Sequence, residues 1–165
     1  MPGKIFRYMA DDHARLDALL QRATIHPDTI EPSAYAEFRA GLLKHIGMEE
    51  KILLPAAQGA RGGTPLPIAA KLRVDHGALA ALLVPTPTAS IIAAIRAVLE
   101  AHNPIEEGPG GVYELCEELA GAKADQILAA LRNAPEVRVN PHNDGPKVIE
   151  ATRRALEKAG YNIKI

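Results

Sequence analysis

The chain has 165 residues, 47% apolar and 24% charged, with a formal net charge of -1. That length can bury a sizeable core in one domain. The near-neutral balance, 4% aromatics and absence of tryptophan speak against a nucleic-acid footprint or a base-stacking platform. Cys116 is the only cysteine, so no internal disulfide can form and a reducing, cytoplasmic setting is expected. "MPGKIFRYMADDHARL" lacks the apolar stretch of a signal peptide, and no apolar run reaches the roughly 18 residues of a membrane span.

The first predicted helix is "DDHARLDALLQRA", with Leu16, Leu19, Leu20 and Ala23 at helical spacing and Asp11 or Asp12 as a candidate cap. Two prolines in "IHPDTIEPS" end it. After Ser33, "AYAEFRAGLLKHIGMEEKILLPAA" reads as a long second helix, which Pro55 is expected to kink or end. "GARGGTPLP" is a loop, and "IAAKLRVDHGALAALLV" is a third helix. The fourth, "ASIIAAIRAVLEAH", has an apolar face of Ile91, Ile92, Ile95, Val98 and Leu99. Pro104 and "GPGG" should break or bend it, and "VYELCEELAG" and "KADQILAALRNA" resume the helical pattern. No segment alternates as a strand would. Four main helices joined by fairly short loops predict an antiparallel bundle over residues 1–134. Residues 135–165 form an extension: a turn-rich stretch, then an amphipathic helix in "KVIEATRRALEKAG". It is expected to pack on the bundle, a homodimer contact being the alternative.

Two patterns recur. "DHARLDALL" from Asp12 and "DHGALAALL" from Asp75 share Asp-His-x-x-Leu-x-Ala-Leu-Leu. "HIGMEE" from His45 and "HNPIEE" from His102 share His-x-x-x-Glu-Glu. Each half of the chain thus carries Asp-His on one helix and His-x-x-x-Glu-Glu on the next, which points to a pseudo-two-fold arrangement. His26 and His142, each beside a proline, read as ordinary surface residues.

Residues four apart on a helix lie about 40° apart around its axis, so His45 with Glu49, and His102 with Glu106, each address one point in space. Glu50 and Glu107 lie about 100° further round, where a flanking role suits them better. Imidazole with carboxylate is a ligand set for iron, manganese or zinc. Taken singly, each of these residues is as well explained as a satisfied polar group on an apolar helix. As a set they put four histidines and two carboxylates into an apolar core, which is costly unless they are paired or metal-bound. No nucleophile constellation competes. Ser33 and Ser90 lack a Gly-x-Ser-x-Gly setting, and "GARGGTP" lacks the ending of a phosphate loop. Cys116, flanked by acids, reads as a buried or half-buried helix residue.

At His13, His45 with Glu49, His76, and His102 with Glu106, the chain resembles the hemerythrin-like family, the HHE cation-binding domain. The resemblance spans roughly residues 5–133. It implies an all-α, up-down-up-down four-helix bundle holding two non-haem irons, here with an additional C-terminal helix. Under it, His13, His45, His76 and His102 are terminal ligands, Glu49 and Glu106 are bridging carboxylates, and an oxo or hydroxo group joins the irons. Another divalent metal would suit the same ligands. The oxygen-carrying hemerythrins have a fifth histidine one turn from the third; here those positions are Leu72 and Ala80. Two six-coordinate irons need about twelve bonds, and these ligands with one bridge supply about ten, leaving about two positions open. Open positions mark working rather than structural metal sites.

The function so implied is binding or sensing of oxygen or another small diatomic ligand, or iron handling. The alternative is a di-iron redox enzyme acting on peroxide or nitric oxide, or an iron–sulfur cluster repair protein. The repair relatives often carry an N-terminal cysteine-rich segment, and this chain has only Cys116. A metal-free structural bundle is the third reading.

Overall fold

The computed structural model describes residues 2–165. Every regular element among them is helical. In chain order these are α1 (Lys4–Ala23), α2 (Pro32–Met48), a π-helical turn (Glu49–Leu53) and α3 (Leu54–Ala60). Then come α4 (Ala69–Leu82), α5 (Ala89–Glu107), α6 (Val112–Ala120), a 3-10 turn (Gly121–Lys123), α7 (Ala124–Arg132) and α8 (Pro146–Lys158). Among the described residues no helix is long and apolar enough to cross a membrane.

The chain divides into two compact units. One comprises residues up to Ala69 together with Asn103–Arg138; the other comprises Ala70–His102 with Val139–Ile165. In the first unit, α1 packs on α2, α6 and α7, and α3 packs on α6. Its core includes Ile5, Met9, Leu20, Phe38, Leu53, Tyr113 and Leu131.

Helix α1 starts at Lys4, well before the cap predicted at Asp11 or Asp12. Its first turn is capped from a distance. The Glu117 carboxylate on α6 accepts from the backbone N–H groups of Lys4 (3.1 Å), Ile5 (2.8 Å) and Phe6 (3.1 Å). A negative group there satisfies orphan donors and complements the helix dipole. Gly3 permits the approach, because a Cβ would lie 2.1 Å from the Glu117 carboxyl carbon. Helix α2 is capped locally, by Glu31 accepting from Ser33 and Ala34.

Neither proline breaks its helix as expected. Pro55 cannot donate and would crowd the carbonyl one turn back. The rod accommodates it in the second position of α3 by widening into the π-turn just before, where the Leu54 N–H reaches back five residues to Glu49 O. Pro104 lies inside α5, which continues to Glu107, and Gly108 N–H donates to Pro104 O at 2.9 Å. The chain turns only in "GPGG". An added Cβ on Gly111 would lie 2.7 Å from Glu106 O and 2.8 Å from Ile105 O. Glycine there lets α6 fold back against the end of α5.

The second unit holds α4, Ala89–His102 of α5, and α8. Leu72, Leu79, Leu82, Ile95, Val98 and Leu156 are buried. The predicted tail helix is α8, and bonds tie it and its C-cap to α4. Thr152 Oγ1 donates to Ala81 O at 3.3 Å, and Lys71 Nζ donates to Ala159 O at 3.0 Å. The irregular segment before it is tied by Thr86, whose N–H and hydroxyl both donate to Asp144 at 2.7 Å.

Candidate metal centre

In the first unit, α1 contributes His13, α2 His45, the π-turn Glu49 and the last turn of α5 Glu106. All four are buried, Glu106 completely. Each offers one ligand atom, and these atoms all lie within 4.8 Å of one another. The π-turn begins at Glu49 itself. Such bulges recur at functional sites because the extra residue per turn re-aims a side chain.

Carboxylates behind the ring orient the imidazoles. His45 Nδ1 donates to Asp12 Oδ2 at 2.8 Å, and His13 Nδ1 donates to Glu107 Oε1 at 2.5 Å. An ionised carboxylate only accepts, so both Nδ1 atoms carry hydrogen and both Nε2 atoms are turned into the cluster. This is the arrangement that fixes metal-ligating histidines. Arg15 Nε also donates to Asp12, at 2.9 Å. The Asp12 carboxyl lies below its ordinary value: burial pushes it up, and the bonds and charges of His45 and Arg15 outweigh that.

A residue without a metal signal completes the cluster. The Tyr113 hydroxyl, on the first turn of α6, donates to Glu49 Oε1 at 2.6 Å. It lies 3.1 Å from His45 Nε2 and 3.2 Å from His13 Nε2. His45 Nε2 is also 3.1 Å from Glu49 Oε1. Burial would lower the His45 pKa, but the Glu49 charge, the bonds to Asp12 and Glu49, and the Glu106 charge push it up to about 10. Burial and the Glu49 and Glu106 charges push the Tyr113 phenol far up and the Cys116 thiol up to about 12. Cys116 is buried on α6 and inert, as its acidic flanks suggested.

The second unit repeats the device. His102 Nδ1 donates to Asp75 Oδ2 at 3.0 Å, which turns His102 Nε2 away from the carboxylate. That Nε2 lies 3.2 Å from His76 Nε2. Asp75 is fully buried and accepts a second bond from Lys71 Nζ at 2.6 Å. Burial raises its carboxyl pKa, yet the bonds to His102 and Lys71 hold it below the ordinary value. Leu72 is fully buried, and neither it nor Ala80 carries a donor atom that ligates a metal.

His26 and His142 are exposed, as predicted. Glu107 acts behind His13, the flanking role its helical angle suggested. Sequence reasoning read Asp12 only as a candidate helix cap and assigned no role to Asp75 or Tyr113. The first two were signalled, since each immediately precedes a candidate histidine in the repeated Asp-His. Tyr113 had no signal, because the turn after Glu107 brings it in. Two imidazole Nε2 atoms and two carboxylates, buried and converging, form a donor set that fits a borderline transition metal rather than calcium or magnesium. No family model, curated protein or solved structure matches the chain.

Proposed function

We propose that the chain is a non-haem di-iron protein of hemerythrin-like character, which binds or senses oxygen or another small diatomic ligand. The observation that carries this reading is the buried cluster of His13, His45, Glu49 and Glu106, with ligand atoms all within 4.8 Å of one another. The repeat supports a second ion, since Asp75, His76 and His102 reproduce the Asp12, His13 and His45 device. By the resemblance, Glu49 and Glu106 are the bridging carboxylates of a four-helix bundle. Bound iron supplies an electron-rich centre with open positions for a small ligand. The chain's own groups do three things. They hold the imidazoles in one tautomer, exclude bulk water by burial, and present carboxylates that balance the metal charge.

The test is the optical spectrum of the reduced, iron-loaded protein before and after air is admitted. A near-ultraviolet band that appears on oxidation supports an oxo-bridged pair. Persistence of an oxygenated spectrum supports binding. Rapid collapse to the oxidised form would move the assignment to a redox enzyme. No spectral change with iron bound would overturn the di-iron reading.

A further inference from the structure

The Tyr113 hydroxyl lies 2.6 Å from Glu49 Oε1, 3.1 Å from His45 Nε2 and 3.2 Å from His13 Nε2. A phenol has one proton to donate, and it goes to Glu49. The other two contacts meet imidazole nitrogens whose opposite nitrogens are committed to Asp12 and Glu107. A cation held among these atoms would account for the close approach of the phenol oxygen to both imidazole nitrogens. With metal–ligand bonds of about 2.1 Å, neighbouring donor atoms on one octahedral ion stand about 3 Å apart. The two imidazole distances match that spacing, and the Glu49 oxygen lies closer still, at hydrogen-bond distance.

The ring is also held in place. Tyr113 is fully buried, meets the Phe6 ring edge-on at 6.0 Å between centroids, and lies 5.6 Å from the His13 ring. Gly111 sets the turn that delivers it. About two coordination positions are left open by the histidines, carboxylates and bridge, and a phenol oxygen suits a hard, oxidised metal.

We infer that Tyr113 is itself a metal ligand, its phenolate oxygen joining His13, His45 and Glu49 on the same ion. On ligation the phenol O–H bond breaks, its proton is released to the buffer, and the oxygen lone pair forms the bond to the metal; no electron is transferred. The inference rests on the metal reading above, and its test separates the two.

Ferric iron is loaded into the full chain, bound iron is counted, and the visible and resonance Raman spectra are recorded. The expected result is a visible phenolate-to-iron charge-transfer band with enhanced tyrosinate ring vibrations. Tyr113→Phe should keep stoichiometric iron and helical circular dichroism while losing both features. Bound iron without the tyrosinate signature in the unaltered chain would overturn the inference and leave the metal reading standing. Failure of the unaltered, folded chain to bind iron would overturn both. Should Tyr113→Phe fail to fold, the triple variant Tyr8→Phe, Tyr35→Phe, Tyr161→Phe serves instead, since those are the chain's other tyrosines. Retention of the signature there assigns it to Tyr113, and its loss contradicts the assignment.

Discussion

The two halves of the chain use one device in two settings. In the first unit, Asp12 orients His45 and is itself only partly covered, with Arg15 alongside. In the second, Asp75 orients His102 from complete burial, and its charge is shared between that imidazole and Lys71. The first cluster gathers additional oxygen donors, Glu49, Glu106 and Tyr113, around its imidazoles. In the second unit the residue one turn before His76 is the fully buried Leu72, which offers no ligand atom. The imidazole pair with its orienting carboxylate is therefore the repeated part, and the Tyr113 hydroxyl beside the first pair is a difference between them.

The largest effect should come from removing a ligand in either half. His45→Ala and His102→Ala are expected to abolish stoichiometric metal binding, while His26→Ala and His142→Ala leave it intact. Equal metal content in all four variants would dissolve the comparison. Chelation should come next. A metal that binds only the folded state adds about 2.7 kcal/mol at a hundred times its dissociation constant, so verified metal removal should lower the melting temperature. An unchanged melting curve would mean that the core does not depend on the ion.

The orienting carboxylates sharpen the contrast. Asp12→Ala and Asp75→Ala should each weaken metal binding, on the order of 10–100-fold, read by competition with a chromophoric chelator. Metal-free melting should separate them. Asp75→Ala should destabilise more, because it leaves the buried His102 imidazole without its partner, whereas Asp12 is partly solvated. Equal melting temperatures would show that the burial difference has no energetic weight. Removing the remote cap is expected to cost about 1 kcal/mol, so Glu117→Ala should lower stability modestly and leave metal content unchanged.

The smallest effect is at Glu31. Bonds from Ala34 and Ser33 hold its carboxyl below the ordinary 4.5. A depressed carboxylate stabilises the fold above its unfolded value, and that stability is lost as pH falls through the folded value. Glu31→Gln should therefore lower stability slightly at neutral pH and flatten the fall below about pH 4.5, so that the two stability curves converge in acid. A parallel downward shift at every pH would point to lost helix capping alone.

The all-helical character and the inward histidines were legible because both depend on short-range periodicity. His45 and Glu49 share a face by arithmetic, and the repeated Asp-His made the pairing of halves visible. Three things were not legible. The start of α1 depends on Glu117, more than a hundred residues away. The passage of the chain through Pro55 depends on a π-turn, which the local sequence does not announce. Tyr113 joins the cluster only because Gly111 tolerates a close turn of backbone. Each is a long-range or backbone effect, where pattern reading has least purchase.

The most direct test of the central claim is the iron content of freshly purified, iron-reconstituted protein. The account predicts two irons per chain, bound tightly enough to survive desalting. A single zinc, or no metal in a folded chain, would contradict it and leave an all-helical protein whose buried histidines and carboxylates satisfy one another.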